Sequence, residues 1–130
     1  MSLTIALFGE AEKGQYHTPL QCHTLDHLVE KLGHPPSDSQ GLSFAVQALL
    51  YERELLYFRV KEEGFSYQDY LIGLKYLQSK DRISNLDALC LPGVGDQMIL
   101  QAAEPICKIH NSLLLTTEKD LYDYLTSLNG

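Results

Sequence analysis

A chain of 130 residues, 45% hydrophobic and 21% charged, has the composition of one soluble globular domain built on a single core, residues 1–130. Its formal net charge of −7, with no lysine- or arginine-rich stripe, argues against nucleic acid, which is bound by neutralising phosphates. No apolar run approaches the ~20 residues of a membrane helix, and no signal-type segment opens the sequence. Three cysteines without metal-type spacing fit reduced thiols. The expected protein is cytoplasmic, with neither nucleic acid nor membrane as partner.

In chain order, Leu3 to Phe8 is nearly all apolar and stops at Gly9, as a central strand buried on both faces would. Thr24 caps a short helix with Leu25, Leu28, Val29 and Leu32 on one face, and Gly33 ends it. A turn at Pro35-Pro36-Ser37-Asp38-Ser39 follows, and Ser37 and Gln40 have the spacing of a capping box. The next helix carries Leu42, Ala45, Val46 and Leu49. Leu55 to Val60 reads as a second strand, although periodicity alone also permits one long helix over residues 42–60.

Ser66 with Asp69 opens a third helix, with Tyr67, Tyr70, Leu71, Leu74 and Leu77 in register. Leu86 to Leu91 is the third strand, and a fourth helix runs from Asp96 to about His110. Pro105 must kink that helix or begin a fresh turn. Ser112 to Thr116 is the fourth strand. A last helix turns Leu121, Tyr124, Leu125 and Leu128 inward. This alternation predicts a small doubly wound α/β domain, Rossmann-like or flavodoxin-like, with a four-stranded parallel sheet in the order 2-1-3-4.

In such sheets ligands bind beyond the carboxyl ends of the strands. Those ends carry Glu10, Glu12, Glu62, Glu63, Asp96, Glu118 and Asp120 against Lys13, Lys61 and Lys119, an excess of four negative charges out of the chain's net −7. Glu10 follows a buried strand, where a carboxylate is held for acid–base work, so it is the candidate catalytic residue. Gly9 and Glu12 flank it as ligand-binding candidates. Gly93, Gly95 and Asp96 join them at the turn after the third strand, and Thr117 at the turn after the fourth.

Helix N-termini attract anions, but Asp96 can cap the fourth helix itself, so that turn suits a hydroxyl, an amine or a metal-bound ligand better than a bare phosphate. Thr117 and Asp120 are spaced as a capping box. Arg59 inside an apolar strand either pairs with Glu62 or Glu63 or reaches the strand end to hold a ligand, and the ion pair is favoured. Neither His23 with His27 nor Cys22 beside His23 completes a zinc or thiolate constellation, so no metal site is expected from them.

The segment Asp87 to Asp96 is distantly similar to the P-G-G-x-G-T turn of the lysine-decarboxylase-like phosphoribohydrolases, which have a Rossmann-like fold. The match covers Pro92-Gly93 and one later glycine. The second glycine of the pair and the threonine are absent, so no residue role is carried over. The functional expectation is a small-molecule-binding domain whose acidic edge takes a nucleoside, a sugar, or a phosphate ester brought with Mg²⁺. A non-catalytic protein-interaction or regulatory module on the same scaffold is the alternative. Eight tyrosines lead to the expectation of a homodimer.

Overall fold

The computed structural model describes residues 3–34, 39–79, 83 and 85–127. Its elements are β1 (Thr4–Gly9), β2 (Leu20–Cys22), α1 (Leu25–Leu32), α2 (Gly41–Leu50), β3 (Glu54–Arg59), α3 (Tyr67–Leu77), β4 (Leu86–Cys90), α4 (Gln97–His110), β5 (Leu113–Leu115) and α5 (Glu118–Ser127). The sheet order is β2-β3-β1-β4-β5. Its four parallel strands, β3-β1-β4-β5, stand in the 2-1-3-4 order expected from the sequence.

The all-parallel, four-stranded sheet is corrected. A fifth strand, β2, pairs antiparallel with β3 at the edge, through Leu20↔Tyr57, Gln21↔Leu56 and Cys22↔Leu55, so the sheet is mixed. Three residues are too few to show a period of two, which is why this strand leaves no mark in the sequence. Residues 42–60 are not one helix. α2 ends at Leu50, and the chain reverses at Tyr51-Glu52, with Glu52 at φ 62°.

Each central strand feeds two cores. Ile5, Leu7, Leu55 and Tyr57 pack against α1, α2 and α5 on one face. Ala6, Phe8, Leu56 and Phe58 pack against α3 and α4 on the other. Alternate residues of an all-apolar run thus find apolar partners on both sides, which is the physical reason such a run needs helices above and below it. Phe8 stacks on Phe58 at 4.6 Å between ring centroids.

Most helix ends follow the sequence signals. Thr24 Oγ1 accepts from the His27 amide, and Gly33 ends α1 at φ 71°. α4 runs on through Pro105 as one helix rather than starting a fresh turn there. Ser37 and Leu128 lie outside the described residues. The N-cap of α2, Gln40, makes no side-chain capping bond, and the cap of this helix comes from elsewhere in the chain. Among the described residues, no helix is long and apolar enough to cross a membrane.

Candidate functional site

The carboxyl ends of β1, β3 and β4 converge, and the loop after β3 closes over them. A Cβ on Gly9 would stand 2.8 Å from the Gly41 Cα and would collide with the Tyr57 hydroxyl, so the end of β1 abuts the start of α2 directly. One turn along, a Cβ on Gly64 would stand 3.0 Å from the Gly93 carbonyl oxygen. Only small residues let these backbones meet.

Glu63 fills the cradle made by that convergence. Its Oε2 accepts from the amides of Glu10 at 2.8 Å and Gly41 at 3.1 Å and from the Ser39 hydroxyl, while Oε1 accepts from the Gln40 amide at 2.8 Å. The carboxylate therefore caps α2 from another part of the chain, where the free amides and the helix dipole favour negative charge. Glu10 returns the contact. Its Oε2 accepts from the Glu63 amide at 2.9 Å, and its carbonyl oxygen accepts from the buried Tyr57 hydroxyl at 2.7 Å. Burial, with Glu63, Tyr70 and Glu10 close by, pushes the Tyr57 phenol well above its ordinary value, so it stays a donor.

The other residues expected at the site hold backbone as well. Glu12 Oε1 accepts from the His34 amide at 3.0 Å. Asp96 Oδ1 accepts from Met98 and Ile99 at 2.8 and 3.3 Å, as an N-cap. Thr117 Oγ1 accepts from the Asp120 amide at 3.1 Å, which caps α5. Gly93 takes φ 73° beside the Gln40 side chain, whereas a Cβ on Gly95 would meet nothing within 4 Å. Glu10, Gly9 and Glu63 are thus brought together, while Asp96 and Thr117 each cap their own helix and Glu12 ties the loop after β1 to the backbone just past α1.

Arg59 overturns the favoured ion pair. Its Nη1 donates to the Gly14 carbonyl at 2.6 Å and its Nη2 to the Glu12 carbonyl at 3.3 Å. The guanidinium also lies 4.3 Å from the centroid of the Tyr16 ring. Backbone carbonyls and an aromatic face, rather than Glu62 or Glu63, partner this cation, because the loop after β1 folds back beside the end of β3 through a Tyr16↔Arg59 bridge.

That loop presents a group absent from the sequence-based candidates. His17 Nε2 lies 2.7 Å from Asp69 Oδ1, and Asp69 Oδ2 accepts from the Lys61 amide at 2.9 Å. The Asp69 side chain is 5% exposed and that of His17 44%, so a buried carboxylate holds a reachable imidazole. Burial works against the charged carboxylate, but the hydrogen bonds from the Lys61 amide and His17 outweigh it and hold Asp69 below its usual range. An ionised carboxylate only accepts, so Nε2 carries the proton and Nδ1 is the basic nitrogen of the neutral ring.

His17 sits at φ 64°, an uphill conformation for a residue with a Cβ. It also lines a cavity of about 470 Å³ with Ile72, Lys75, Tyr76, Gln78 and Ser79, along α3. Asp69 was visible in the sequence only as the presumed second half of a cap with Ser66. In the fold Ser66 makes no side-chain cap, and its hydroxyl binds the Glu62 backbone instead.

Cys22 is buried in β2, and burial raises its thiol against the lowering pull of Lys31, which leaves it a poor nucleophile. His23 Nδ1 turns to Glu54 at 3.2 Å. Among the described residues, no three histidine, cysteine, aspartate or glutamate side chains gather as metal ligands would. No protein-family model matches the chain, and no curated protein or solved structure is significantly similar to it.

Proposed function

We propose that this chain is a small-molecule-binding α/β domain with Rossmann-like winding, and that its ligand meets His17 at the carboxyl edge of the sheet. The observation that carries this reading is the His17–Asp69 pair on the wall of the cavity beside α3. A buried carboxylate that fixes one tautomer of an accessible histidine is the arrangement used to keep the other ring nitrogen ready to take a proton. In this reading His17 Nδ1 receives a proton from a ligand hydroxyl, and Asp69 stabilises the imidazolium that forms. The acid–base role passes from Glu10 to His17, because Glu10 Oε2 is engaged with the Glu63 amide.

The favoured ligand is hydroxyl-rich and uncharged, a nucleoside or a sugar. A bare phosphate would have to displace Glu63 from the start of α2 or Asp96 from the start of α4, so a phosphate ester would enter only with Mg²⁺. Three free cysteines, two of them buried, support a cytoplasmic protein. The net charge of −7 supports the absence of a nucleic-acid partner. A homodimer stays part of the proposal without its original basis, since Tyr122, at 55% exposure, is the one exposed tyrosine of the eight. Light scattering at micromolar concentration tests it.

The alternative, a non-catalytic interaction module, draws on Phe65 and Met98, which are 75% and 60% exposed beside the ends of β3 and β4. A thermal-shift screen of nucleosides, nucleotides and sugars, each with and without Mg²⁺, separates the two. A true ligand at about 100 times its Kd adds about 2.7 kcal/mol of stability, a shift of several degrees. That shift should vanish in His17→Asn, where asparagine tolerates the left-handed φ but removes the imidazole. No stabilising compound, or an equal shift in the variant, would remove the small-molecule reading.

A further inference from the structure

We infer that Arg59 is the positioning residue for His17, holding the loop after β1 in the one conformation that brings the imidazole to Asp69. A left-handed backbone at a residue with a Cβ is uphill and persists only where its surroundings fix it. The segment between β1 and β2 forms no strand or helix of its own, so side chains and isolated backbone bonds must supply that fixing. On one side, the amides of Glu12 and Lys13 donate to the Leu32 carbonyl at 3.0 and 3.1 Å. They fix the start of the loop, and the Tyr16↔Arg59 backbone bridge ties its far end to the end of β3.

Arg59 supplies the rest. Its guanidinium reaches residues 12, 14 and 16 in turn, through two carbonyl oxygens and one ring face, and His17 is the next residue. The Tyr16 ring pinned under the guanidinium lies 6.4 Å from the His17 ring, tilted by 53°. A planar fork with several donors can bind two carbonyls and stack at once, which a lysine ammonium cannot do. This explains why a guanidinium ends a strand whose neighbours are apolar, and why it takes no carboxylate partner among the described residues. Lys61 also lies over Tyr16, at 5.8 Å, but its ammonium makes no bond to the loop backbone among the described residues.

The inference rests on the reading of His17 as the working group, but its test needs no ligand. Long-range ¹H–¹⁵N spectra of the imidazole report which nitrogen carries the proton. In the unmodified protein the proton of neutral His17 should sit on Nε2 alone. Arg59→Lys keeps the charge but loses the fork, and it should give a mixture of tautomers while far-UV circular dichroism stays unchanged. Tyr16→Leu, which removes only the stacking, should move the population the same way by a smaller amount, and it serves if the Arg59 variant fails to fold. Lys61→Met should change nothing. A single Nε2–H tautomer in both Arg59→Lys and Tyr16→Leu would overturn the inference, as would an equal effect from Lys61→Met. Failure of the ligand screen would leave this spectroscopic result standing, so the two readings fall separately.

Discussion

Replacing Asp69 with asparagine puts the most strain on the proposed site for the smallest change of shape. The carboxylate is buried and accepts from both the Lys61 amide and His17 Nε2. An amide of the same outline has one oxygen. The Lys61 N–H is fixed in the backbone and keeps that oxygen, so the new NH₂ faces His17. Two donors cannot share a bond, and the imidazole must move its proton to Nδ1 and accept through Nε2. Two charge-assisted bonds of about 1.5–3 kcal/mol each become two neutral bonds of about 0.5–1.5 kcal/mol. The expected loss is about 2 kcal/mol, a fall in Tm of about 8 °C at roughly 4 °C per kcal/mol for a chain of this size.

The same substitution carries a pH signature. The folded-state pKa of Asp69 is depressed from its ordinary 3.8, so its charge contributes stability that is present above that value. The contribution is lost as pH falls through the folded-state value. The gap between wild type and Asp69→Asn should therefore be full at neutral pH and close in acid, below about pH 4. Urea unfolding at pH 7 and pH 3 measures the gap, and imidazole ¹⁵N shifts give the tautomer. A variant as stable as wild type at pH 7, a gap at pH 3 no smaller than the gap at pH 7, or a proton still on Nε2 would refute the reasoning.

Two further outcomes follow from the same edge. Glu63→Ala strips the acceptor from three amides and a hydroxyl at once and should cost about 2–4 kcal/mol, whereas Glu63→Gln keeps one oxygen and should cost about half as much; equal, small losses in urea unfolding would deny the carboxylate its capping role. At the turn after β4, Asp96→Ala should cost about 1 kcal/mol and Asp96→Asn a few tenths, because asparagine caps about as well. Gly95→Ala should stay within about 0.5 kcal/mol of wild type, since its Cβ has open space, so a large loss there would show a packing role that the fold does not provide.

How much of this was legible depends on the range over which each signal acts. Leu3–Phe8 and Leu86–Leu91 announce strands buried on both faces through unbroken apolar runs, and the alternation of strand and helix limits how such strands can be wound. Thr24, Asp96 and Thr117 announce caps because an N-cap is a contact between residues three apart. β2 is too short to carry a pattern. The pair of Asp69 with His17 spans 52 residues and that of Glu63 with Glu10 spans 53, so neither leaves a trace in any local window. Arg59 was visible as an anomaly, but its partners are carbonyl oxygens, which every residue has and no sequence marks.

The carboxylates that the sequence concentrates at this edge also have a structural use. A loop-rich sheet edge exposes amides that no strand or helix satisfies, and a buried amide without an acceptor costs about 1–3 kcal/mol. Glu10, Glu12, Glu63, Asp69 and Asp96 each accept from at least one backbone N–H there. Much of the negative charge at this edge is therefore the counterpart of loop backbone. Charge alone cannot mark a ligand site in such a place. What separates Asp69 from the other four is the second thing it holds, an exposed imidazole on the wall of a cavity, and that difference is why the proposed chemistry rests on His17.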